Sequence, residues 1–152
     1  MSIGKAEILK IDDIFKLNLS IPNYQRPYKW TIKNVQQLID DLLQNFKEGK
    51  KIYRIGTIVL NKNKDRSEIV DGQQRLITLS LLLHKLGKDD VSLLEEKPNH
   101  SISKNNITTN YNFLKNYSFT NEFKDYLLST CEMVCIELDD LDEAFQFFDS
   151  QN

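Results

Sequence analysis

The residue types best suited to chemistry are concentrated in residues 71–75, an Asp-Gly-Gln-Gln-Arg run between a short apolar stretch and a leucine-rich one. A helix that begins here would present free N–H groups to an anion, and an Arg guanidinium adds a planar fork that matches phosphate oxygens. The two amides and the carboxylate would orient phosphate, a water or a base. The catalytic candidates are therefore Asp71, Gln73, Gln74 and Arg75. The alternative is an ordinary turn, in which Asp71 caps the helix and Arg75 pairs with a surface carboxylate.

A second cluster of polar and aromatic residues occupies residues 21–30, Ile-Pro-Asn-Tyr-Gln-Arg-Pro-Tyr-Lys-Trp. Its two prolines favour an extended chain, because each restricts its own φ and the residue before it. Aromatic faces interleaved with cations suit a base or a nucleotide, through stacking and phosphate contacts. The nucleotide-binding candidates here are Tyr24, Gln25, Arg26 and Tyr28. The alternative is that the aromatic rings belong to the core and the cations are solvated.

Together, residues 21–30 and 69–75 resemble the bacterial DGQQR-motif family, which is placed in the ParB/sulfiredoxin-like superfamily. Members include the GmrS-like half of GmrSD-type modification-dependent restriction systems and related phage-defence proteins. Both motifs match without gaps, and residues 56–60 resemble the family's intervening strand. Residues 144–152 resemble a third family element, which normally continues into an Arg-Gly turn. We therefore expect this chain to be the N-terminal part of a longer protein.

The resemblance implies an α+β fold, a small mixed sheet of the ParB/sulfiredoxin-like kind with packed helices. It also implies binding and hydrolysis of a nucleoside triphosphate with Mg²⁺, coupled to restriction of DNA, with an HNH-type nuclease domain or subunit as partner. Gly56 and Gly72 join the binding candidates, since glycine permits close approach of a backbone or a ligand. No Gly-x-x-x-x-Gly-Lys-Ser/Thr loop occurs, so recognition of the P-loop kind is not expected. Two alternatives stay open: a non-enzymatic module that binds nucleic acid or a nucleotide as a switch, and a ParB-like DNA nickase.

Periodicity and boundary signals predict the elements that position these motifs. The predicted strands are 6–11, 17–21, 53–60, 67–70 and 131–138, and the predicted helices are 31–47, 72–86, 107–117 and 121–129. Asp71 as N-cap with Gln74 three residues later gives a capping-box pattern, and Gly87 supplies a stop. Thr31 is the N-cap expected for the earlier helix, and a single helical turn capped by Asp12 follows the first strand.

The part of the chain after residue 87 offers less chemistry. We expect a polar loop over residues 88–104 and then a helical segment that packs over the sheet. Four carboxylates at 139–143 would bind Mg²⁺ or begin a helix, and their capping-box spacing favours the helix. Cys131 and Cys135 fall in a predicted strand, roughly 13 Å apart at about 3.3 Å per residue, too far for a disulfide. They are expected to be buried free thiols, and no metal site of His and Cys ligands is expected.

The composition sets the broad class of the protein. With 152 residues, of which 40% are hydrophobic and 28% charged, the chain suits a single globular domain over residues 1–152. Its motif-bearing α/β part would be residues 1–87, and residues 88–152 would add the helical segment, the last strand and a helix. The net charge of −2 is unevenly spread, because residues 1–90 are basic and the remainder is acidic. There is no signal peptide or membrane-spanning run, so we expect a cytoplasmic protein with no membrane partner.

Overall fold

The computed structural model describes residues 3–22, 25–88, 91, 93 and 101–138. In this part of the chain, five strands form one mixed sheet in the order β1-β5-β3-β4-β2. The strands are β1 Ile3–Lys10, β2 Leu19–Ser20, β3 Tyr53–Asn63, β4 Arg66–Asp71 and β5 Cys131–Leu138. The helices are α1 Ile11–Ile14, α2 Ile32–Lys47, α3 Gln73–Lys85, α4 Ser101–Leu114 and α5 Asn121–Ser129. The predicted α+β class is confirmed.

Strand β5 comes late in the chain but lies inside the sheet. It pairs antiparallel with β1 and parallel with β3, while β3 and β4 form an antiparallel hairpin and β2 pairs parallel with β4. The chain after residue 87 therefore contributes a central strand as well as helices. The motif-bearing part and the later part share one sheet.

Two apolar clusters occupy opposite faces of the sheet. Ile58 and Val59 are neighbours on β3, and because side chains alternate along a strand, Ile58 faces the main core while Val59 joins a smaller cluster with Val70 and Leu138. The helices supply most of the rest of the main core, together with strand residues such as Leu60, Ile69 and Met133. Helix α3 is at its centre, since every residue from 76 to 83 is buried. The leucine stripe predicted as one buried face is thus part of a helix enclosed on nearly all sides.

Several predicted boundaries are confirmed, and others are corrected. Helix α4 begins at Ser101, inside the loop predicted over residues 88–104, and ends at Leu114, before the predicted residue 117. Strand β5 matches its predicted range, and α2 begins after Thr31 and is followed by Gly49 in the left-handed region at φ +67°. Asp12 was expected to be an N-cap, but α1 continues directly from β1 with Lys10 at that position. The strand predicted at 17–21 is only Leu19–Ser20, because the N–H of Leu17 still donates to Ile14 O in the turn that ends α1.

Cys131 and Cys135 are free and buried, as predicted. Burial raises the pKa of Cys131 to about 12 and that of Cys135 to about 11, so both thiols are protonated at neutral pH. The predicted carboxylate cluster at 139–143, the helix after it and the similarity at 144–152 all lie outside the described residues. No helix in the described part of the chain is both long and apolar enough to cross a membrane.

Candidate functional site

The junction of β4 and α3 places residues 71–75 at one end of the sheet. Asp71 is the last residue of β4 and pairs with Val59, so it is not the N-cap that its capping-box pattern predicted. Gly72 takes that position with φ +96°, and its carbonyl accepts the N–H of Leu76 to begin the helix. A Cβ at Gly72 would lie 2.8 Å from Ile58 Cγ2. The glycine is therefore required by the turn and by its packing on β3.

The first turn of α3 is open to an anion. No side chain in the described part of the chain caps it, and residues 73–76 include no acidic residue. Its N–H groups therefore keep the partial positive charge of a helix amino end. This is the local condition under which phosphate groups bind helix termini.

Gly56 on β3 makes room for the Arg75 side chain. A Cβ at Gly56 would collide with Arg75 Nη1 and would lie 3.2 Å from Arg75 Cζ. Close approach by a backbone or a ligand was expected at this glycine, and the group that the structure places there is the Arg75 guanidinium. Arg75 is half-buried, and its positive charge opposes the rise in the pKa of Tyr53 that burial and Asp41 produce.

Arg75 has no counter-ion among the residues that the structure describes. It forms none of the ion pairs found there, and its Nε atom is buried without a hydrogen-bond partner. A partly desolvated guanidinium that lacks an acceptor is costly unless a ligand supplies one. The alternative in which Arg75 pairs with a surface carboxylate is therefore not the arrangement found.

The side-chain amide of Gln74 is fully engaged with the first motif. Its Oε1 accepts the N–H groups of Lys29 at 2.7 Å and Trp30 at 3.2 Å, and its Nε2 donates to Pro27 O at 3.2 Å. The residue expected to complete a capping box instead joins α3 to a segment more than forty residues earlier in the chain. Its geometry is that of a positioning residue.

The side-chain amide of Gln73 is hydrogen-bonded through its nitrogen only, within the described part of the chain. Its Nε2 donates to Arg26 O at 2.9 Å, while its Oε1 is buried and has no hydrogen-bond partner among the residues that the structure describes. The side chain as a whole is only 6% exposed. Because an unpaired buried acceptor is costly, this oxygen is suited to receive a hydrogen bond from a bound water or ligand.

Gln25 fastens the first motif to the end of β4. Its Nε2 donates to Ile69 O at 2.8 Å and to Val70 O at 2.6 Å, and the residue is buried. Gln25 was predicted to bind a nucleotide. In the structure its side-chain amide holds the end of the strand that leads into Asp71.

The remaining candidates of the first motif are placed differently from one another. Tyr28 is fully buried, and burial raises the pKa of its hydroxyl despite hydrogen bonds with Thr78 and Asn110. Its ring is a core residue and is not on a surface from which it could stack on a base. Arg26 is exposed, whereas Tyr24 lies outside the described residues.

A comparison with protein-family models matches residues 8–152 to the family described as GmrSD restriction endonuclease, N-terminal domain. The chain belongs to this family. The predicted resemblance to GmrSD-type restriction systems is thereby confirmed, and the mixed sheet is consistent with the ParB/sulfiredoxin-like superfamily. No curated protein matches the chain.

Helix α4 of this GmrSD N-terminal domain holds residues that the sequence did not reveal as part of the site. Ser103 Oγ accepts the Tyr28 N–H at 2.8 Å, and Asn106 Nδ2 donates to Tyr28 O at 3.0 Å. Asn110 Nδ2 donates to Trp30 O at 2.8 Å. The available signal was composition, since a helix rich in Asn, Ser and Thr is built from weak helix formers whose side chains readily bond to backbone groups.

Asp71 is the carboxylate nearest in sequence to these groups. It is half-buried, and its carboxylate takes part in none of the side-chain hydrogen bonds or ion pairs found in the described part of the domain. No group of three metal-binding side chains occurs among the described residues. A lone carboxylate of this kind fits Mg²⁺ that arrives with a nucleotide, because Mg²⁺ is commonly held by one or two carboxylates together with substrate phosphates.

Proposed function

We propose that this domain binds and hydrolyses a nucleoside triphosphate within a restriction protein, and that Arg75 is its principal phosphate ligand. The observation that carries the proposal is the half-buried guanidinium over Gly56, with a buried Nε that has no partner and no counter-ion in the described part of the chain. An uncapped helix amino end begins two residues earlier. Both features favour an anionic ligand at the same place.

The roles of the other residues follow from their hydrogen bonds. Arg75 would stabilise the charge that spreads over the phosphoryl oxygens during transfer, with help from the first N–H groups of α3. Gln73 Oε1 would accept a hydrogen bond from the attacking water. Attack of that water on the terminal phosphorus breaks the bridging P–O bond and leaves a nucleoside diphosphate and inorganic phosphate. The oxygen of the water and both of its protons end on the inorganic phosphate. Gln74 and Gln25 hold the first motif against this site.

Mg²⁺ would neutralise phosphate charge, and Asp71 is the residue that would hold it. As part of a restriction protein, the domain would act with DNA and with an HNH-type nuclease domain or subunit. The exposed Arg26 and Lys29 are suited to further phosphate contacts.

The proposal is tested by calorimetric titration of the Mg²⁺ salts of ATP, GTP, CTP and UTP, together with a phosphate-release assay. We expect one or more of them to bind wild-type protein and to be hydrolysed. Arg75→Ala should weaken binding by about tenfold or more, since hydrogen bonds to charged groups contribute roughly 1.5–3 kcal/mol. Arg66→Ala, which removes an exposed arginine at the β3–β4 turn, is the matched control and should bind normally. Absence of binding by all four, or equal binding by Arg75→Ala, would overturn the proposal.

A second candidate is a binding module that uses the nucleotide as a switch without turnover. The commitment of the Gln74 and Gln25 amides to backbone groups favours it, because these side chains are then unavailable for catalysis. Saturable binding that depends on Arg75 but releases no phosphate would support this candidate over hydrolysis.

A further inference from the structure

The segment from Arg26 to Trp30 is held by side chains from two helices. Its bonded backbone groups are the carbonyls of Arg26, Pro27, Tyr28 and Trp30 and the N–H groups of Tyr28, Lys29 and Trp30. Glutamines of α3 bind one set, and residues of α4 bind the other. The position of this segment is therefore set by the two helices jointly.

The α4 contribution is centred on Asn110, which is 1% exposed. Its Nδ2 donates to Trp30 O at 2.8 Å and to the Tyr28 hydroxyl at 2.9 Å. Asn106 adds a bond to Tyr28 O at 3.0 Å. Loss of the Asn110 amide would leave the buried Tyr28 hydroxyl without this donor, which is the costly case for a hydrogen bond.

A chain of hydrogen bonds also joins Asn110 to the amino end of α3. Thr78 Oγ1 donates to Gln74 O at 2.8 Å, so the Tyr28 hydroxyl, 2.7 Å away, donates to Thr78 and accepts from Asn110. This chain passes through the core beneath the segment. It connects α4 with the turn of α3 that precedes Arg75.

The clamped segment presents its cations outward. Tyr28 is fully buried, whereas Arg26 and Lys29 on either side of it are exposed. Because Tyr28 lies between the two cations in the chain, the bonds to its N–H and carbonyl groups also restrict where Arg26 and Lys29 can lie.

We propose that Asn110, supported by Asn106, is a positioning residue of the nucleotide site, and that α4 sets where Arg26 and Lys29 stand relative to Arg75. We call the hydrogen bonds from Ser103, Asn106 and Asn110 to residues 28–30 the α4 clamp. The identity of the ligand rests on the proposed function, whereas the existence of the clamp does not. The site would then be completed by a helix outside both sequence motifs, and the ligand's affinity would depend on how α4 packs against α3.

The clamp is tested first without ligand, by hydrogen exchange of backbone amides in wild-type protein, Asn110→Ala and the control Asn112→Ala. Asn112 is exposed on the same helix. In Asn110→Ala, the Tyr28, Lys29 and Trp30 amides should exchange about tenfold faster, the effect of losing a buried hydrogen bond of ordinary strength, while β5 amides remain protected. Unchanged exchange in the segment would overturn the inference. If Asn110→Ala exposes the whole domain, Asn106→Ala, which removes one bond from a half-buried residue, decides in the same way.

A double-mutant cycle then tests positioning, with the dissociation constant of the Mg²⁺-nucleotide that binds wild-type protein as the readout. Asn110→Ala introduced alone should raise this dissociation constant about tenfold. Added to the double variant Arg26→Ala, Lys29→Ala, which lacks both cations, it should hardly change the constant. An equal increase in both backgrounds would show that Asn110 does not act through these cations and would overturn the proposal. Failure of wild-type protein to bind any of the four nucleotides would refute the proposed function and the role of Asn110 in positioning a nucleotide site, whereas the exchange measurement decides separately whether α4 holds the segment.

Discussion

At Gly56 the absence of a side chain determines where a charged group can lie. The Arg75 guanidinium occupies the space that a Cβ would fill, and no acidic side chain in the described part of the chain neutralises it. The glycine and the arginine therefore act as a pair, and the function of one depends on the identity of the other.

We expect Gly56→Ala to weaken nucleotide binding while leaving the fold intact. The added methyl group would displace the far end of a flexible side chain, so the free energy of unfolding should change by less than about 1 kcal/mol. The displaced guanidinium should bind phosphate less tightly. Calorimetric titration with Mg²⁺-nucleotide and urea unfolding measure the two effects, and Thr57→Ala, at the exposed neighbour on β3, is the control. Unaltered affinity in Gly56→Ala would show that the position of Arg75 over β3 is unimportant.

At the scale of elements, the sequence predicted those whose signals are local. The short run at residues 131–138 predicted β5, and Thr31 with Gly49 predicted both ends of α2. The start of α3 was predicted one residue early, because Asp71 remains paired in the β-ladder and Gln74 bonds to the first motif instead of capping the helix. The capping-box pattern uses four neighbouring residues only and takes no account of such distant partners.

The candidate site was predictable in part. The two motifs carried the resemblance, and their side chains do meet, through Gln25, Gln73 and Gln74. That these amides bind backbone groups could not be inferred, since composition does not distinguish an amide that binds a ligand from one that binds a carbonyl. The α4 clamp joins residues 75 to 82 positions apart in the chain, and no periodicity reports a contact of that kind.

The start of α3 provides a prediction about backbone conformation. Gly72→Ala should destabilise the domain by about 2–4 kcal/mol, because a left-handed backbone penalises an L-residue and the new Cβ would press on Ile58. Gly87→Ala is the matched control, with φ +90° and no atom within 4 Å of the added Cβ. Gly87→Ala should lower the free energy of unfolding only through its left-handed backbone, by about 1–2 kcal/mol. Urea unfolding measures both, and equal losses would mean that the contact with Ile58 contributes nothing.

At the scale of the whole molecule, an ion-pair network joins three strands that are far apart in sequence. Glu132 on β5 lies between Lys10 on β1 and Arg54 on β3, with N–O distances of 3.0 Å to each. The Glu132 side chain is 7% exposed, whereas the two cations reach solvent. Because β5 is inserted between strands formed much earlier in the chain, this carboxylate helps to fix the register on both sides of it.

Glu132 should therefore make the stability of the domain depend on pH. Hydrogen bonds from Lys10, then from Arg54, lower the pKa of its carboxyl below the ordinary value of 4.5. The unfolded chain thus takes up this proton first as pH falls, so the stabilisation is complete above pH 4.5 and is lost as pH falls through the folded pKa. We expect Glu132→Gln to be less stable than wild-type protein at neutral pH, and by more than the exposed variant Glu122→Gln. The difference in free energy of unfolding between wild-type protein and Glu132→Gln, which we call the gap, should narrow below pH 4.5. A protonated Glu132 no longer carries the charge that distinguishes it from glutamine. Urea unfolding from pH 7 to pH 3 measures the gap, and a constant gap over that range would show that the charge on Glu132 does not hold the three strands together.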